Sequence, residues 1–224
     1  ADTLLGKRSA AVDLATPEGR AALHRLLSGA HVIVCGYRPG ALDRFGLDEM
    51  SLAERHPGLV VVALDAWGHQ GPWAERRGFD SVVQGPTGLA MGESPDGQTP
   101  GALPCQLLDH GTGYLAAAAA MDGLRRQRTD GATHVRRLSL ARTALWLSST
   151  PVTAADNDVA GDRGAGDGGP GEGAGHRPPW IEDLADARGP VEAVAPPGSI
   201  GGHGGRWPLP LTGYGEARPE WIPR

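Results

Sequence analysis

Apolar runs and helical repeats alternate along the first third of the chain. Residues 10–14, 31–35 and 59–64 each predict a strand, and the last two have the continuous apolar pattern of strands buried on both faces of a sheet. Residues 16–18 supply a threonine N-cap, a first-position proline and an early acid for a helix, and a further helix is predicted around 48–56. This alternation predicts parallel strands joined by right-handed helical crossovers, as in α/β proteins.

The later part of the chain continues the α/β pattern. Residues 133–138 predict another strand, and residues 139–147 predict the helix that follows it. Open parallel sheets bind ligands beyond the carboxyl ends of their strands. We therefore expect a ligand site to be formed by loops 36–44 and 66–73 and by the turn at Asp109.

Asp109 lies where an extended segment ending at Leu108 is predicted to become a long helix of small residues. Aspartate is a favoured N-cap, and the helix dipole favours its ionised form by roughly 0.3–1 kcal/mol. Gly111 and Gly113 follow in the first turn, where each costs roughly 1 kcal/mol of helix stability and lets a neighbour approach the backbone. The pattern fits an aspartate that only caps a buried helix, and it also fits one that reacts with a ligand.

Composition and charge exclude several classes of partner. The net charge is −5 and no polybasic stripe is present, which predicts binding neither to nucleic acid nor to an anionic membrane surface. The apolar run 114–121 is shorter than the ~20 residues of a membrane span and predicts a tightly packed core helix. Cys35 and Cys105 stand in no CxxC or Cys/His cluster, so we expect no disulfide framework and no metal. Residues 1–8 lack the apolar core of a signal peptide, and a cytoplasmic location is predicted.

The composition divides the chain into three segments. Residues 1–149 predict the α/β domain, and residues 150–179 are rich in Gly, Asp and Pro and predict a flexible linker. The glycines of this linker are neither preceded by a predicted strand nor followed by a predicted helix, so they do not indicate a nucleotide site. Residues 180–224 predict a small segment, with a strand at 189–197, that docks on the main domain or on another chain.

Short motifs between about residues 5 and 148 occur in the order and at the spacing of one protein family. They are Gly6-Lys7-Arg8-Ser9, Val12-Asp13-Leu14, Thr16-Pro17-Glu18-Gly19-Arg20, Arg38-Pro39-Gly40-Ala41-Leu42-Asp43-Arg44, Gly68 with Gly71-Pro72, Gly78-Phe79-Asp80 with Gln84, and Asp109 with Thr112-Gly113. Together they resemble the class III CoA-transferases, which include formyl-CoA transferase, carnitine CoA-transferase and the 2-methylacyl-CoA racemases. The resemblance implies a Rossmann-like α/β domain with a parallel sheet and flanking helices, and two chains interlocked in a dimer.

The resemblance also implies a catalytic role for Asp109. Its carboxylate would attack an acyl-CoA thioester to give a mixed anhydride, CoA would return to form an aspartyl-CoA thioester, and a carboxylic acid acceptor would complete the exchange. Covalent catalysis of this kind requires an ionised carboxylate, with backbone groups close enough to bind the oxyanion. CoA and acyl-CoA are then substrates, and no metal is implied.

Five further residues take a CoA-contacting role from the resemblance: Gly36, Tyr37, Arg38, Arg44 and Arg77. Arginines on loops at strand ends suit phosphate oxygens, and Tyr37 is placed to lie against the adenine. Surface salt bridges explain Arg44 and Arg77 equally well, so both interpretations stay open for them.

The chain departs from the family pattern in two respects. The racemases have a histidine where this chain has Phe79, which favours CoA transfer over racemisation. The family's first strands and its small domain have no counterpart here, which predicts either a part of a longer or cleaved protein or a shortened paralogue. We therefore expect a homodimer or pairing with a missing N-terminal portion.

Other functions stay open at this point. A non-catalytic CoA-binding paralogue, acting as a binding or assembly subunit, is the alternative to an active transferase. A nucleotide-binding domain unrelated to CoA is a third interpretation, although no GxGxxG motif follows a predicted strand. His69 and His110 are predicted to be solvated or core histidines rather than acid–base groups.

Overall fold

The computed structural model describes residues 4–150, 178–186 and 189–222. The flexible linker predicted at 150–179 lies outside these residues except for Thr150, Pro178 and Pro179.

The chain forms two compact units. One consists of Ala1–Leu26 with Gly161–Arg224, and the other of Leu27–Ala160. The first 26 residues thus group with the C-terminal segment, although they were predicted to belong to one domain with the rest of residues 1–149. The three predicted segments stay a prediction, because most of the predicted linker is not described.

The larger unit contains the parallel sheet and most of the helices. Helix α1 (Pro17–Ser28) ends within it, and the elements that follow are β1 (Val32–Cys35), α2 (Glu49–Arg55), β2 (Val60–Asp65), α3 (Asp80–Gln84), α4 (Leu89–Gly92), α5 (Leu107–Asp130), β3 (His134–Ser139) and α6 (Leu140–Ser149). A 3-10 turn, Asp43–Phe45, directly precedes α2. The predicted starting residues of four elements are confirmed to within two residues: helices α1 and α2 and strands β2 and β3.

The three strands form a parallel sheet in the order β1-β2-β3, which confirms the α/β class. Val60 pairs with Val32 on one side and with His134 on the other. Val60 and Val62 are fully buried and pack with Ala116 of α5. Because side chains alternate along a strand, Val61 and Ala63 belong to the opposite face of the sheet.

Two strand predictions need correction. Residues 10–14 form no strand, because the Asp13 carboxylate accepts a hydrogen bond from the Ala15 N–H at 2.8 Å and turns the chain. Ala10 makes only an isolated antiparallel bridge with Glu216. Strand β1 is an edge strand, with Val34 60% exposed, so only β2 has the deep burial predicted for both.

Helix α5 buries one face rather than its whole surface. Leu108, Thr112, Ala116 and Gly123 are buried, whereas Tyr114 and Met121 are mostly exposed. The predicted core helix is therefore wrong for the outer face. No helix in the described part of the chain is both long and apolar enough to cross a bilayer.

Close helix–sheet packing depends on Gly123. A Cβ at this position would stand 2.5 Å from Val60 Cγ1, closer than real Cβ contacts come. We expect Gly123→Ala to destabilise the protein by about 1–3 kcal/mol, because the helix must move away from β2. Gly113→Ala in the same helix has nothing within 4 Å and is the matched control. It is expected to add up to about 1 kcal/mol of stability. Urea unfolding of both variants checks this, and equal effects would contradict it.

The smaller unit joins the chain's two ends. Its C-terminal part contains the antiparallel hairpin β4 (Ile181–Asp186) and β5 (Gly189–Val194), and the short pair β6 (Ser199–Ile200) and β7 (His203–Gly204). The strand predicted at 189–197 is confirmed as β5, which ends before the prolines at 196 and 197. The Trp221 indole N–H donates to the Leu26 carbonyl at 2.9 Å, and Arg8 donates to the Glu220 carbonyl at 2.8 Å.

Candidate active site

The first turn of α5 carries Asp109, but not as its cap. The helix begins at Leu107, and the residue before it, Gln106, makes no side-chain capping bond. Leu108 is fully buried in an apolar cluster that includes Val83 and Leu140, so packing draws residues 107 and 108 into the helix. The predicted extended segment ending at Leu108 and the predicted N-cap at Asp109 are therefore both wrong.

A second aspartate, Asp80, supports this turn. Asp80 is fully buried at the start of α3, and its Oδ2 accepts the backbone N–H of Asp109 at 2.9 Å. Its Oδ1 accepts from the Gln84 amide, whose own oxygen accepts the Leu103 N–H at 3.2 Å. The network ties the segment before α5, helix α3 and the first turn of α5 together.

Asp109 is an exposed residue. Partial burial and then the neighbouring charge of Asp80 raise the pKa of the Asp109 carboxyl, and His110 opposes them. The helix dipole favours the ionised form of Asp109, whereas burial and the Asp80 charge favour the protonated form. A carboxylate with a raised pKa is a stronger base and nucleophile once it has lost its proton.

The helix surface near Asp109 is open on one side. A Cβ on Gly113 would meet nothing within 4 Å, and one on Gly111 would meet Thr143 at an ordinary 3.7 Å. Thr112 is fully buried, and its hydroxyl lies 2.7 Å from that of Thr143 on α6. The helix is thus fixed to α6 on its inner side and accessible beside Asp109.

A separate cleft of about 1010 Å³ lies on the sheet face opposite α5. Cys35, Val61 and Ala63 lie along the sheet side of the cleft, and loops leaving the carboxyl ends of β1 and β2 form part of its walls. Tyr37 and Arg38 line it, as expected for residues that follow β1. This location at the carboxyl edge agrees with the general rule for parallel sheets.

The structure brings only some of the expected CoA contacts together. Gly36 stands between the lining residues Cys35 and Tyr37, with no atom within 4 Å of its Cβ position. The Arg38 guanidinium donates to the Glu75 carbonyl at 3.2 Å.

The other two arginines and Asp109 lie outside the cleft lining. The Arg44 guanidinium stacks on the Phe45 ring at 4.6 Å, and Arg77 is exposed, with its carbonyl accepting from the Trp67 indole at 3.2 Å. Within the described residues, neither Arg44 nor Arg77 forms a salt bridge. Helix α5 returns the chain to the start of the parallel strand β3, so its first turn lies toward the carboxyl edge of the sheet.

Sequence reasoning missed a polar group at the cleft. Asp65 ends β2, and its nearly buried carboxylate accepts the Gly68 N–H and lies 2.7 Å from His69 Nδ1. The other ring nitrogen of His69 is 3.9 Å from Glu49, which pairs with Arg137. An acid at the end of an apolar strand is the signal that could have found Asp65. The signal for Asp80 is its four-residue spacing to Gln84, which places the two side chains on one face if the segment is helical.

Comparison with known proteins identifies the family. The model of CoA-transferase family III matches residues 4–176. The probable fatty acyl-CoA transferase Rv3272 of Mycobacterium tuberculosis is 31% identical over 159 residues, which are 70% of this chain and 40% of that protein. The succinate–glutarate CoA-transferase of Agrobacterium fabrum is 39% identical over 94 residues, 42% of this chain and 24% of that protein.

Solved structures agree with this assignment. A crystal structure of Rv3272 in an orthorhombic form superposes with a TM-score of 0.60 at 31% identity, covering 71% of this chain and 43% of that one. A CAIB/BAIF family protein from Brucella suis gives a TM-score of 0.60 at 27% identity, over 85% and 48% of the two chains. The chain thus spans less than half the length of these relatives. The family match over most of its residues confirms the resemblance found in the sequence, and the chain belongs to CoA-transferase family III.

Proposed function

We propose that this chain transfers CoA between carboxylic acids, with Asp109 as the nucleophile. The observation that carries the proposal is the contact between Asp80 and the Asp109 backbone. It fixes the first turn of α5 while leaving the Asp109 carboxyl exposed, with a raised pKa and beside the open surface at Gly113. A fixed, accessible carboxylate is what nucleophilic attack on a thioester requires.

The proposed reaction proceeds by exchange at Asp109. A carboxylate oxygen of Asp109 attacks the thioester carbonyl carbon, and the carbon–sulfur bond breaks. CoA departs as the thiolate, and a mixed anhydride of Asp109 and the donor acid is formed. The thiolate then attacks the Asp109 carbonyl carbon, which releases the donor acid and forms an aspartyl-CoA thioester. The acceptor carboxylate attacks this thioester, which forms a second mixed anhydride and releases CoA thiolate. The thiolate attacks the acceptor's carbonyl carbon in that anhydride, which forms the new acyl-CoA and frees the Asp109 carboxylate. The products are a free acid, a new acyl-CoA and unchanged Asp109.

The proposal assigns CoA contacts to the loop after β1. Tyr37 and Arg38 line the cleft, and Gly36 between them and β1 admits close approach to the backbone. We also assign CoA contacts to Arg44 and Arg77, as the family resemblance implies, although both lie outside the cleft lining.

Loss of the Arg38 guanidinium is expected to weaken CoA binding. We expect Arg38→Gln to raise the dissociation constant about tenfold, because a charge-assisted contact to phosphate is worth roughly 1.5–3 kcal/mol. Arg44→Gln and Arg77→Gln are expected to change it by less than about threefold, the small effect typical of exposed charges. Titration calorimetry with CoA measures all three. Equal losses would place the phosphates outside the cleft.

Assembly with further polypeptide is part of the proposal. Exposed apolar side chains on α5 and α6, including Tyr114, Leu145 and Trp146, leave a surface that a second chain could cover. Two relatives are named the alpha and beta subunits of succinyl-CoA–L-malate CoA-transferase. We propose that the chain acts in the cytoplasm, as a homodimer or paired with further polypeptide.

A second candidate is a CoA-binding module without catalysis. It is favoured by the position of Asp109 outside the cleft lining. Intact-protein mass spectrometry after mixing with acyl-CoA donors, with hydroxylamine or borohydride trapping, decides between the two. A covalent adduct mapped to Asp109 supports transfer. CoA binding without any adduct in the folded chain selects the binding module.

A further inference from the structure

Four ionisable side chains form a cluster along one wall of the cleft. Asp65 is nearly buried at the end of β2, and its Oδ2 lies 2.7 Å from His69 Nδ1. The other ring nitrogen of His69 lies 3.9 Å from Glu49 Oε1, and both Glu49 oxygens accept from the Arg137 guanidinium. Negative and positive groups alternate along this cluster when His69 carries a positive charge. When His69 is neutral, the cluster consists of two carboxylates and one guanidinium.

Asp65 determines which nitrogen of His69 can change its charge. In the described part of the chain, no donor other than His69 approaches the buried Asp65 Oδ2. An acceptor oxygen this close favours a proton on Nδ1 in both charge states of the ring, so Nε2 is the nitrogen that gains or loses a proton. Glu49 stands too far from Nε2 for a direct hydrogen bond. The His69 side chain lines the cleft and is 25% exposed, so a ligand in the cleft can approach it.

The other charges of the cleft lining balance one another. They belong to two arginines and two aspartates, Arg38, Arg142, Asp43 and Asp48. Arginine and aspartate keep their charges between about pH 6 and pH 8, and tyrosines such as Tyr37 stay neutral there. Burial raises the pKa of the Cys35 thiol, so this group also stays mostly protonated in that range. His69 is therefore the lining residue that can change its charge near neutral pH.

We propose that an anionic ligand binds in the cleft together with a proton that His69 takes up, so that binding strengthens as the pH falls from about 8 to about 6. This inference rests on the proposed function, in which the ligand is CoA and its diphosphate is the anion. With His69 neutral, the cluster has one net negative charge and repels the diphosphate. With His69 protonated, the cluster is neutral, and Nε2 has an N–H to donate to an anion.

Binding of dephospho-CoA at several pH values tests the inference. This ligand keeps the diphosphate, which does not titrate near neutral pH, and lacks the phosphate monoester of CoA, whose second pKa is about 6. We expect the dissociation constant to be about three- to tenfold lower at pH 6 than at pH 8, because one linked proton changes affinity by at most about tenfold per pH unit. Calorimetry in buffers of different ionisation enthalpy counts the protons taken up.

His69→Asn removes the titrating group but keeps a donor for Asp65. The asparagine amide nitrogen takes nearly the position of Nδ1 and can donate to the same carboxylate oxygen. In this variant the dissociation constant should change by less than about twofold between pH 6 and pH 8, and proton uptake should be lost. His134→Gln is the matched control, because His134 also lies beside an aspartate, 3.1 Å from Asp130, but outside the cleft lining. It should keep the pH dependence of the wild type.

Glu49→Gln tests the charge of the cluster without changing His69. Loss of the Glu49 charge leaves the cluster neutral even when His69 is unprotonated. Dephospho-CoA should then bind about three- to tenfold more tightly than to the wild type at pH 8. Unchanged affinity at that pH would show that the cluster does not act on the ligand, and the inference would fail.

The outcomes separate this inference from the transferase function. Wild-type binding that does not change with pH, or that changes equally in His69→Asn, would overturn the inference and leave the proposed reaction at Asp109 intact. The expected pH dependence supports the inference even if no covalent adduct forms at Asp109, a result that counts against the transferase function alone. Absence of binding at every pH would overturn the CoA site and this inference together.

Discussion

Asp109→Asn is expected to abolish the covalent adduct and to lower CoA transfer by roughly a thousandfold or more, as removal of a nucleophile does in other enzymes. Asparagine has nearly the same shape but no charged oxygen to attack the thioester. The backbone N–H that donates to Asp80 remains, so the first turn of α5 should keep its position. Intact mass spectrometry and the rate of acyl exchange measure the effect.

Asp122→Asn is the matched control for this experiment. Asp122 lies on the same helix and is bound by Arg125, Arg126 and Arg136 at the surface. Its substitution should leave the adduct at Asp109 unchanged, because partly exposed ion pairs contribute only about 0–1 kcal/mol to stability. An adduct of unchanged yield in Asp109→Asn, in a folded protein that still binds CoA, would exclude Asp109 as the nucleophile.

Asp80→Asn is expected to shift the pH dependence of adduct formation toward lower pH. The negative charge of Asp80 raises the pKa of Asp109, so its removal lowers that pKa. The ionised carboxylate, which is the reactive form, then persists to lower pH, and the acid limb of the rate profile moves with it. The rate at the plateau should fall, because the carboxylate is less basic.

The same substitution should also weaken the fold. Asp80 accepts from both Gln84 and the Asp109 backbone, and an asparagine can accept with only one of its two terminal atoms. Loss of one buried hydrogen bond is expected to cost about 1–3 kcal/mol in urea unfolding. Asp96→Asn, in an exposed loop where the carboxylate accepts from Gln98 and Thr99, is the control for the pH profile. An acid limb that stays in place or moves to higher pH in Asp80→Asn would show that Asp80 does not tune Asp109.

The sequence predicted well those elements whose signals are local. Pro17 and the acid after it begin α1, and the Asp48 side chain caps α2 by accepting the Ser51 N–H at 2.9 Å. The apolar run at 59–64 forms the central strand β2, with three consecutive buried valines. In each case the deciding interaction joins residues within one turn or follows from side-chain periodicity, and both can be read along the chain.

Local signals failed where two were in competition. Asp13 ends an apolar run by bonding to the backbone two residues on, so residues 10–14 form no strand. Asp109 is a residue type that favours the N-cap position. The helix nevertheless begins two residues earlier, at Leu107, because Leu108 is buried in the core. Packing of one leucine, which stabilises a protein by roughly 1.5–3 kcal/mol, outweighs the preference for a particular capping residue.

By itself, the sequence determined the α/β class, the family and Asp109 as the candidate nucleophile, because each depends on residue types and their spacing. Only the tertiary structure decided that Asp80, 29 residues away, accepts a hydrogen bond from the Asp109 N–H and that its charge, together with burial, raises the pKa of Asp109. It also separated Tyr37 and Arg38, which line the cleft, from Arg44 and Arg77, which do not. The physical reason is that hydrogen bonds and electrostatic effects between distant residues depend on strand order and helix packing, which the chain fixes only when it folds.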